Sequence, residues 1–443
     1  MRKIRLIRGL GYLEAVMLGI GFIIGSGIFI MPLLAGREAG TISLISWIIG
    51  GVFSILTGLC FAELATKVPG AGGPYAYTHH AFGNTAGFMV GWIFWLYYWV
   101  TIAGETLAIA IYLEFLFPQF TYLLRILMAS IVTVTLTVIN IKGVKLGGRT
   151  EDIFTIGKMI PLIIFIVLGI FFVKFSNFQP YIPENKTVLS AIGSSTILIL
   201  WAYLGAEIIT VPQDEIKSAK KNIRRAIMVS ILVTNSLYLL IAFVTLGVMS
   251  WTKYGTSSTL VDVSKIFMGN TGSIILIIGG LVSIIGALNA VILACARVAR
   301  AISVDNLFPG FLKHLHKKNK TPDYALVLQT ILALILIFAV QDFRSVANLS
   351  ILLLLVTYLF SCFAVLRLIK KFKGEMFVLE SKVVPIIAII ACILFMTQVS
   401  IFIWKIFILL IIIGWFVYIT RRKKIKQIPP PIQILDSSER YKV

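Results

Sequence analysis

Residues 18–32 read LGIGFIIGSGIFIMP, with glycines at 19, 21, 25 and 27 and Ser26 between the last two. The stretch lies inside an apolar run long enough to span a bilayer, and glycine at that density weakens an α-helix from within. It predicts a broken membrane helix, with Gly25 and Gly27 at the break. In lipid an unwound turn survives only where protein or a water-filled cavity surrounds it, because each freed N–H and C=O needs a partner. N–H groups opening the second half-helix suit a carboxylate, and carbonyls closing the first half suit an ammonium or a metal cation. A solute bearing both groups is an α-amino acid. The rival reading is that small residues only let two helices pack closely.

The composition points to a membrane protein. Of 443 residues, 58% are hydrophobic and 13% charged, with a mean hydropathy of +0.96, which excludes an ordinary soluble globular chain. A dozen apolar runs of about 20 residues predict an all-α integral membrane protein with twelve transmembrane helices. No long alternating pattern suggests a barrel, and no small-residue cleavage site follows the first run, so no signal peptide is expected.

A net charge of +21 in a soluble chain would suggest a nucleic-acid partner, but here the charges sort by side. Of the 40 Lys and Arg, only Arg37, Arg125, Lys174, Lys186, Lys253, Lys265, Arg344 and Lys405 fall outside when the N-terminus is placed in the cytoplasm, and Lys158 alone lies within a span. That asymmetry puts both termini on the cytoplasmic side of a plasma or inner membrane, with lipid and not nucleic acid as the large partner. Cys60, Cys295, Cys362 and Cys392 sit in or beside apolar runs without CxxC spacing and read as packing residues. Adjacent His79 and His80 fall on different helix faces, so no metal is expected. The chain has no GxxxxGK[ST] and no G-x-S-x-G motif, so ATP-driven pumping and hydrolysis lack their usual parts and no cofactor is implied.

In order, the chain reads as a cytoplasmic tail (1–11), spans 1–5 (12–174), spans 6–10 (189–366), spans 11 and 12 (378–420) and a polar cytoplasmic tail (421–443) that looks disordered. The Gly- and Pro-rich residues 68–75 read as an irregular loop leading into span 3. In span 6, Gly205 and Glu207 interrupt an apolar run within WAYLGAE at 201–207. This second break falls five spans after the first. An odd offset inverts orientation, so 12–174 and 189–366 can be two inverted halves, which is a transporter's geometry.

Four of the acidic and basic side chains in the spans could carry chemistry. Lys158 needs a partner at that depth, either the carbonyls freed in span 1 or, by snorkelling, the cytoplasmic edge. On the carbonyls it is a candidate proton site. Glu207 follows the second break and reads as a gating or proton-binding carboxylate. Glu105 either faces the solute, favouring a cation, or satisfies a neighbouring hydroxyl. Glu63, near the cytoplasmic end of span 2, reads as solvated or salt-bridged. Trp201 beside the break suits a ring that closes over a solute, with Tyr203 next to it. The cluster Trp92, Trp95, Tyr97, Tyr98 and Trp99 reads mainly as interfacial anchoring.

Four segments then carry a resemblance: GFIIGSGIF at 21–29, FAEL at 61–64 with GGPYAY at 72–77, WAYLGAE at 201–207 with its basic sequel, and GALNA at 286–290 leading to DNLFP at 305–309. Together they resemble the amino acid–polyamine–organocation superfamily of permeases. The resemblance implies a 5+5 inverted-repeat fold of the LeuT type, two extra helices and transport by alternating access. It implies that N–H groups of Ser26 and Gly27 take the substrate carboxylate and that carbonyls of Ile23, Trp201 and Leu204 take its amine. Lys158 matches the span 5 lysine of sodium-independent members, and Glu207 their gating carboxylate. The expected function is sodium-independent amino acid transport, by proton-coupled symport or exchange, with a polyamine or cationic amino acid antiporter as the alternative. Val291 stands where arginine antiporters carry a residue that stacks on guanidinium, which argues against arginine/agmatine exchange.

Overall fold

The computed structural model describes residues 11–68, 72–143, 148–203, 205–211, 216–255, 259–369, 372 and 382–425. The regular elements among them are helices. Ten segments are long and apolar enough to cross a membrane; the first, Tyr12–Lys67, runs over two expected spans, and Val383–Met396 is a shorter apolar helix. Helices therefore stand at each of the twelve expected places.

The first run is split where its glycines cluster, into α1 (Tyr12–Ile23) and α2 (Gly27–Ala39), with Ile24, Gly25 and Ser26 non-helical between them. Gly27 lies outside the break and opens α2. There α2 comes too close for a side chain to the helix Val188–Tyr203: a Cβ on Gly27 would stand 2.5 Å from the Ala202 Cα. α3 (Ser43–Lys67) follows, then α4 (Pro74–Phe82). The sequence suggested an irregular lead over 68–75: Val68, Gly72 and Gly73 are irregular, and the structure corrects only its end, where Pro74 and Tyr75 already belong to α4. Pro74 takes the first helical position, where its missing N–H is no loss, and the chain enters through Gly73 at φ 52°.

α5 (Asn84–Leu116) is buried almost all round between Gly87 and Leu113, as a central helix must be. α6 (Tyr122–Ile141), α7 (Gly148–Gly169) and α8 (Val188–Tyr203) come next. The second break follows α8, with Gly205 at φ 130° and a 3-10 turn at Ala206–Thr210. A side chain on Gly205 would be strained by that φ and would also meet the Phe22 ring at 2.5 Å. α9 (Ala219–Val248) leads to α10 (Leu260–Val304), which kinks at Gly269. α11 (Asp323–Val340), α12 (Phe343–Ile369), α13 (Val383–Met396) and α14 (Ile401–Ile425) complete the chain. α14 runs helical to 425, past the expected start of the polar tail at 421. The rest of that tail, and residues 1–10, lie outside the described residues.

α2 packs on α8, and α1 packs on both α9 and the 3-10 turn after the second break. The two breaks thus lie side by side, and α10 also packs on both α1 and α2. Outer helices turn large apolar residues outward, among them Ile331 and Ile335 of α11 and Phe402 and Phe416 of α14. In water such a surface would aggregate, whereas against lipid it is the expected exterior.

Candidate functional site

Ile24, Gly25 and Ser26 cannot all bond within a helix, and three neighbouring helices serve the carbonyls they free. Lys158 of α7 is buried and donates from Nζ to the Gly21 carbonyl at 2.5 Å and the Ile24 carbonyl at 3.3 Å. Ser283 of α10 donates to the Ile24 carbonyl at 2.8 Å, and Tyr238 of α9 to the Ile23 carbonyl at 2.8 Å. Across the break, Glu105 of α5 accepts from the Ser26 N–H at 3.3 Å and from Ser26 Oγ at 3.1 Å. Trp201 Nε1 donates to that same Oγ at 2.9 Å. An ammonium therefore sits at the carboxyl end of α1 and a carboxylate at the amino end of α2, the polarity the helix dipoles favour.

A central cavity of about 30 Å³ lies against the break, with Gly25, Thr101, Glu105, Trp201, Val291 and Ser350 in its wall. That is room for about two waters. Thr101 and Ser350 share a hydrogen bond of 2.7 Å across it. The Trp201 ring lies against Gly104, where a Cβ would come within 2.6 Å of it, and meets Phe343 edge-on at 5.7 Å. Beyond Phe343 opens a vestibule of about 560 Å³. At that end Glu38 of α2 binds Lys186 and, at 2.8 Å, Arg344 of α12, tying the tip of α2 to both the entry of α8 and the start of α12.

The second break carries its own carboxylate. Glu207 accepts from the Tyr358 hydroxyl at 2.5 Å, the Gly205 N–H at 3.1 Å and the Tyr97 hydroxyl at 3.3 Å. Tyr97 also lines the central cavity, so this triad joins α5 and α12 to the second break beneath the site. At the opposite end from the vestibule, Tyr75 of α4 donates to Asp305 at 2.6 Å. Burial, with the Asp305 charge beside it, holds that phenol well above its ordinary value, which keeps the donor protonated.

Two broken helices set side by side around a central cavity are a solute carrier's arrangement, and over residues 10–417 the sequence matches the family described as Amino acid permease. The chain belongs to that family. The permease is 30% identical to the Serine/threonine exchanger SteT of Bacillus subtilis (strain 168), over 86% of this chain and 88% of that one. It is 26% identical to the Methylthioribose transporter of the same organism, over 95% and 94% of the two chains. It is 27% identical to the Arginine/ornithine antiporter of Pseudomonas aeruginosa, over 73% and 68%. The permease is thus a multi-pass membrane transporter of the amino acid class, with the LeuT-like helical fold, and not an enzyme.

Of the residues singled out from sequence, Ile23, Gly25, Gly27, Trp201 and Glu105 line the permease's cavity. Ser26 stands behind it, its N–H already bonded to Glu105. Leu204 lies outside the described residues. Tyr203 was grouped with the gate, yet its hydroxyl donates to the Trp47 carbonyl at 2.9 Å and its ring packs over Gly50, towards α3. Glu63 is 3% exposed, which corrects the solvated reading. The interfacial reading of the aromatic cluster is corrected too. All five rings are buried in α5, among protein and not at a membrane edge. All four cysteines are buried. His79 bonds Asn84 at 2.7 Å, and among the described residues no three His, Cys, Asp or Glu gather as metal ligands.

Sequence reasoning missed Tyr358, Tyr238 and Ser283 and misread Tyr97. The available signal was a lone tyrosine in an otherwise apolar run, which in lipid must find a hydrogen-bond partner. Tyr358→Phe, which leaves Glu207 one donor short, is expected to lower turnover by roughly tenfold. Initial rates of amino acid uptake in proteoliposomes check this, and an unchanged rate removes Tyr358 from the working parts.

Proposed function

We propose that the permease is a secondary active transporter of small neutral α-amino acids, working by alternating access without sodium and by proton-coupled symport or exchange. The observation that carries this reading is the charge layout at the first break, a lysine on the α1 carbonyls and a glutamate on the α2 amino end. The Lys158 ammonium takes the carbonyls that a sodium ion would otherwise occupy, which supports independence from sodium. Hydroxyls of Thr101 and Ser350, with Ala287 and Val291, give a small and mostly uncharged wall, in keeping with a relative named for serine and threonine. Residues 12–174 and 189–366 form the two inverted halves, with both termini cytoplasmic and the vestibule facing outside.

Glu105 supplies the coupling. A substrate carboxylate seated on the Ser26 N–H comes within contact of the Glu105 carboxylate, and two such charges about 4 Å apart repel by roughly 4 kcal/mol at an effective dielectric of about 20. The substrate therefore binds when Glu105 is protonated, and the proton travels with it. Sodium-free proteoliposomes loaded with a panel of amino acids test both parts. Counterflow of labelled L-threonine is expected, and an inward proton gradient is expected to accelerate uptake by the unmutated protein but not by Glu105→Gln. Uptake that ignores the gradient in both proteins leaves exchange alone. Absence of counterflow for every amino acid ends the permease reading.

Glu105 also favours a second reading, since a carboxylate in the cavity wall attracts a cation. Stronger competition by putrescine or ornithine than by neutral amino acids would move the substrate to a polyamine or cationic amino acid.

A further inference from the structure

Where α12 meets α5 and α14, the permease carries a groove apart from the central cavity. On α12, Val356, Phe360, Phe363 and Arg367 follow at i, i+4, i+7 and i+11, so they share one helix face. On α5, Ala86, Met89 and Ile93 do the same. Between these stripes the helices leave a hollow of about 610 Å³, with Phe407 and Ile411 of α14 in its wall. Phe82, at the end of α4, and Phe360 border both this hollow and a second one of about 540 Å³ that reaches Arg367, so one runs into the other.

The first hollow offers little to a polar solute. Its Thr85 hydroxyl already shares a hydrogen bond of 2.6 Å with the Tyr418 hydroxyl, and its Trp404 Nε1 donates to the Met396 carbonyl at 3.2 Å. The remaining wall is hydrocarbon, which suits an alkyl chain. From Val356 to Arg367 the helix rises about 16 Å, against about 15 Å for half of a 30 Å hydrocarbon core. At the end of that path Arg367 is exposed, its guanidinium 5.3 Å from the Phe82 ring, and among the described residues no carboxylate pairs with it. Charge of one sign gathers there along the chain. Lys370, Lys371 and Lys373 follow α12 in the sequence, and Arg421, Arg422, Lys423 and Lys424 fall at the end of α14, against Glu375 and Glu380 alone between the two runs.

We propose that this groove is a binding site for an anionic phospholipid, with an acyl chain between α5 and α12 and the phosphodiester on Arg367. A guanidinium meets phosphate oxygens with two parallel donors, and a basic run just past a membrane helix attracts anionic headgroups. In the proposed orientation this end of α12 is cytoplasmic, so the lipid comes from the inner leaflet. The site rests on the membrane fold and is independent of which solute the central cavity takes.

Two other occupants are open to test, bulk lipid of any headgroup and a second copy of the chain. Native mass spectrometry of the purified full chain in detergent, titrated with phosphatidylglycerol or with phosphatidylcholine of the same acyl chains, separates them. One phosphatidylglycerol is expected to bind roughly tenfold more tightly than phosphatidylcholine. Arg367→Gln is expected to erase that preference, and Ala86→Trp, which fills the hollow, to weaken both lipids. Melting curves check that each variant folds, and should either fail, the comparison of the two lipids on the unmutated protein still decides. Inorganic phosphate is expected not to displace the lipid, because it has no chain to seat. Equal affinity for the two lipids, a preference that survives Arg367→Gln, displacement by phosphate, or a dimer that excludes lipid overturns the proposal.

Discussion

Lys158→Ala is expected to reduce amino acid uptake by roughly a hundredfold or more, the largest effect of any single side chain in this permease. The lysine donates to the Gly21 and Ile24 carbonyls, on the opposite side of the break from Glu105 and the Ser26 N–H. Removing it strips a donor from two buried carbonyls, at about 1–3 kcal/mol for each group left unsatisfied. Ser283 still reaches Ile24, so the break is expected to loosen without unfolding the helices around it. Initial uptake rates in sodium-free proteoliposomes, together with a melting curve in detergent, check this. Wild-type values for both would show the ammonium to be dispensable.

Gly27→Ala is expected to abolish transport and lower the melting temperature, although it adds only a methyl group. That carbon would stand 2.5 Å from the Ala202 Cα and 2.8 Å from its Cβ. Backbone cannot swing aside as a flexible side chain does, so α2 and α8 must separate where the two breaks meet. Overpacking of this kind typically costs about 1–3 kcal/mol, and here the strain falls on the wall of the central cavity. Gly157→Ala supplies the control, because a Cβ there meets nothing within 4 Å and a mid-helix alanine stabilises by about 0.5–1 kcal/mol. Equal uptake by the two variants would show that the close approach at Gly27 is not needed.

The sequence revealed both breaks because glycine and serine inside a membrane-length apolar run contradict their surroundings locally. Lys158 and Glu207 were visible for the same reason, as charges where lipid forbids them. What each one touches was not legible. Tyr97 meets Glu207 across 110 positions and Tyr238 meets Ile23 across 215, and such pairings are fixed by how helices pack and not by neighbours along the chain. The aromatic run of α5 shows the difficulty. Tryptophan and tyrosine collect at membrane edges and in protein interiors alike, and only the all-round burial of α5 decides between them. α4 escaped notice because glycine and proline at 72–74 mask the helix that proline itself begins.

The unwound turn in the first crossing finds its partners within the protein, on Lys158, Ser283, Tyr238 and Glu105. No cargo is needed to keep that turn from collapsing into a continuous spiral. The break is therefore held by side chains of four other helices, so its shape is set by how those helices pack.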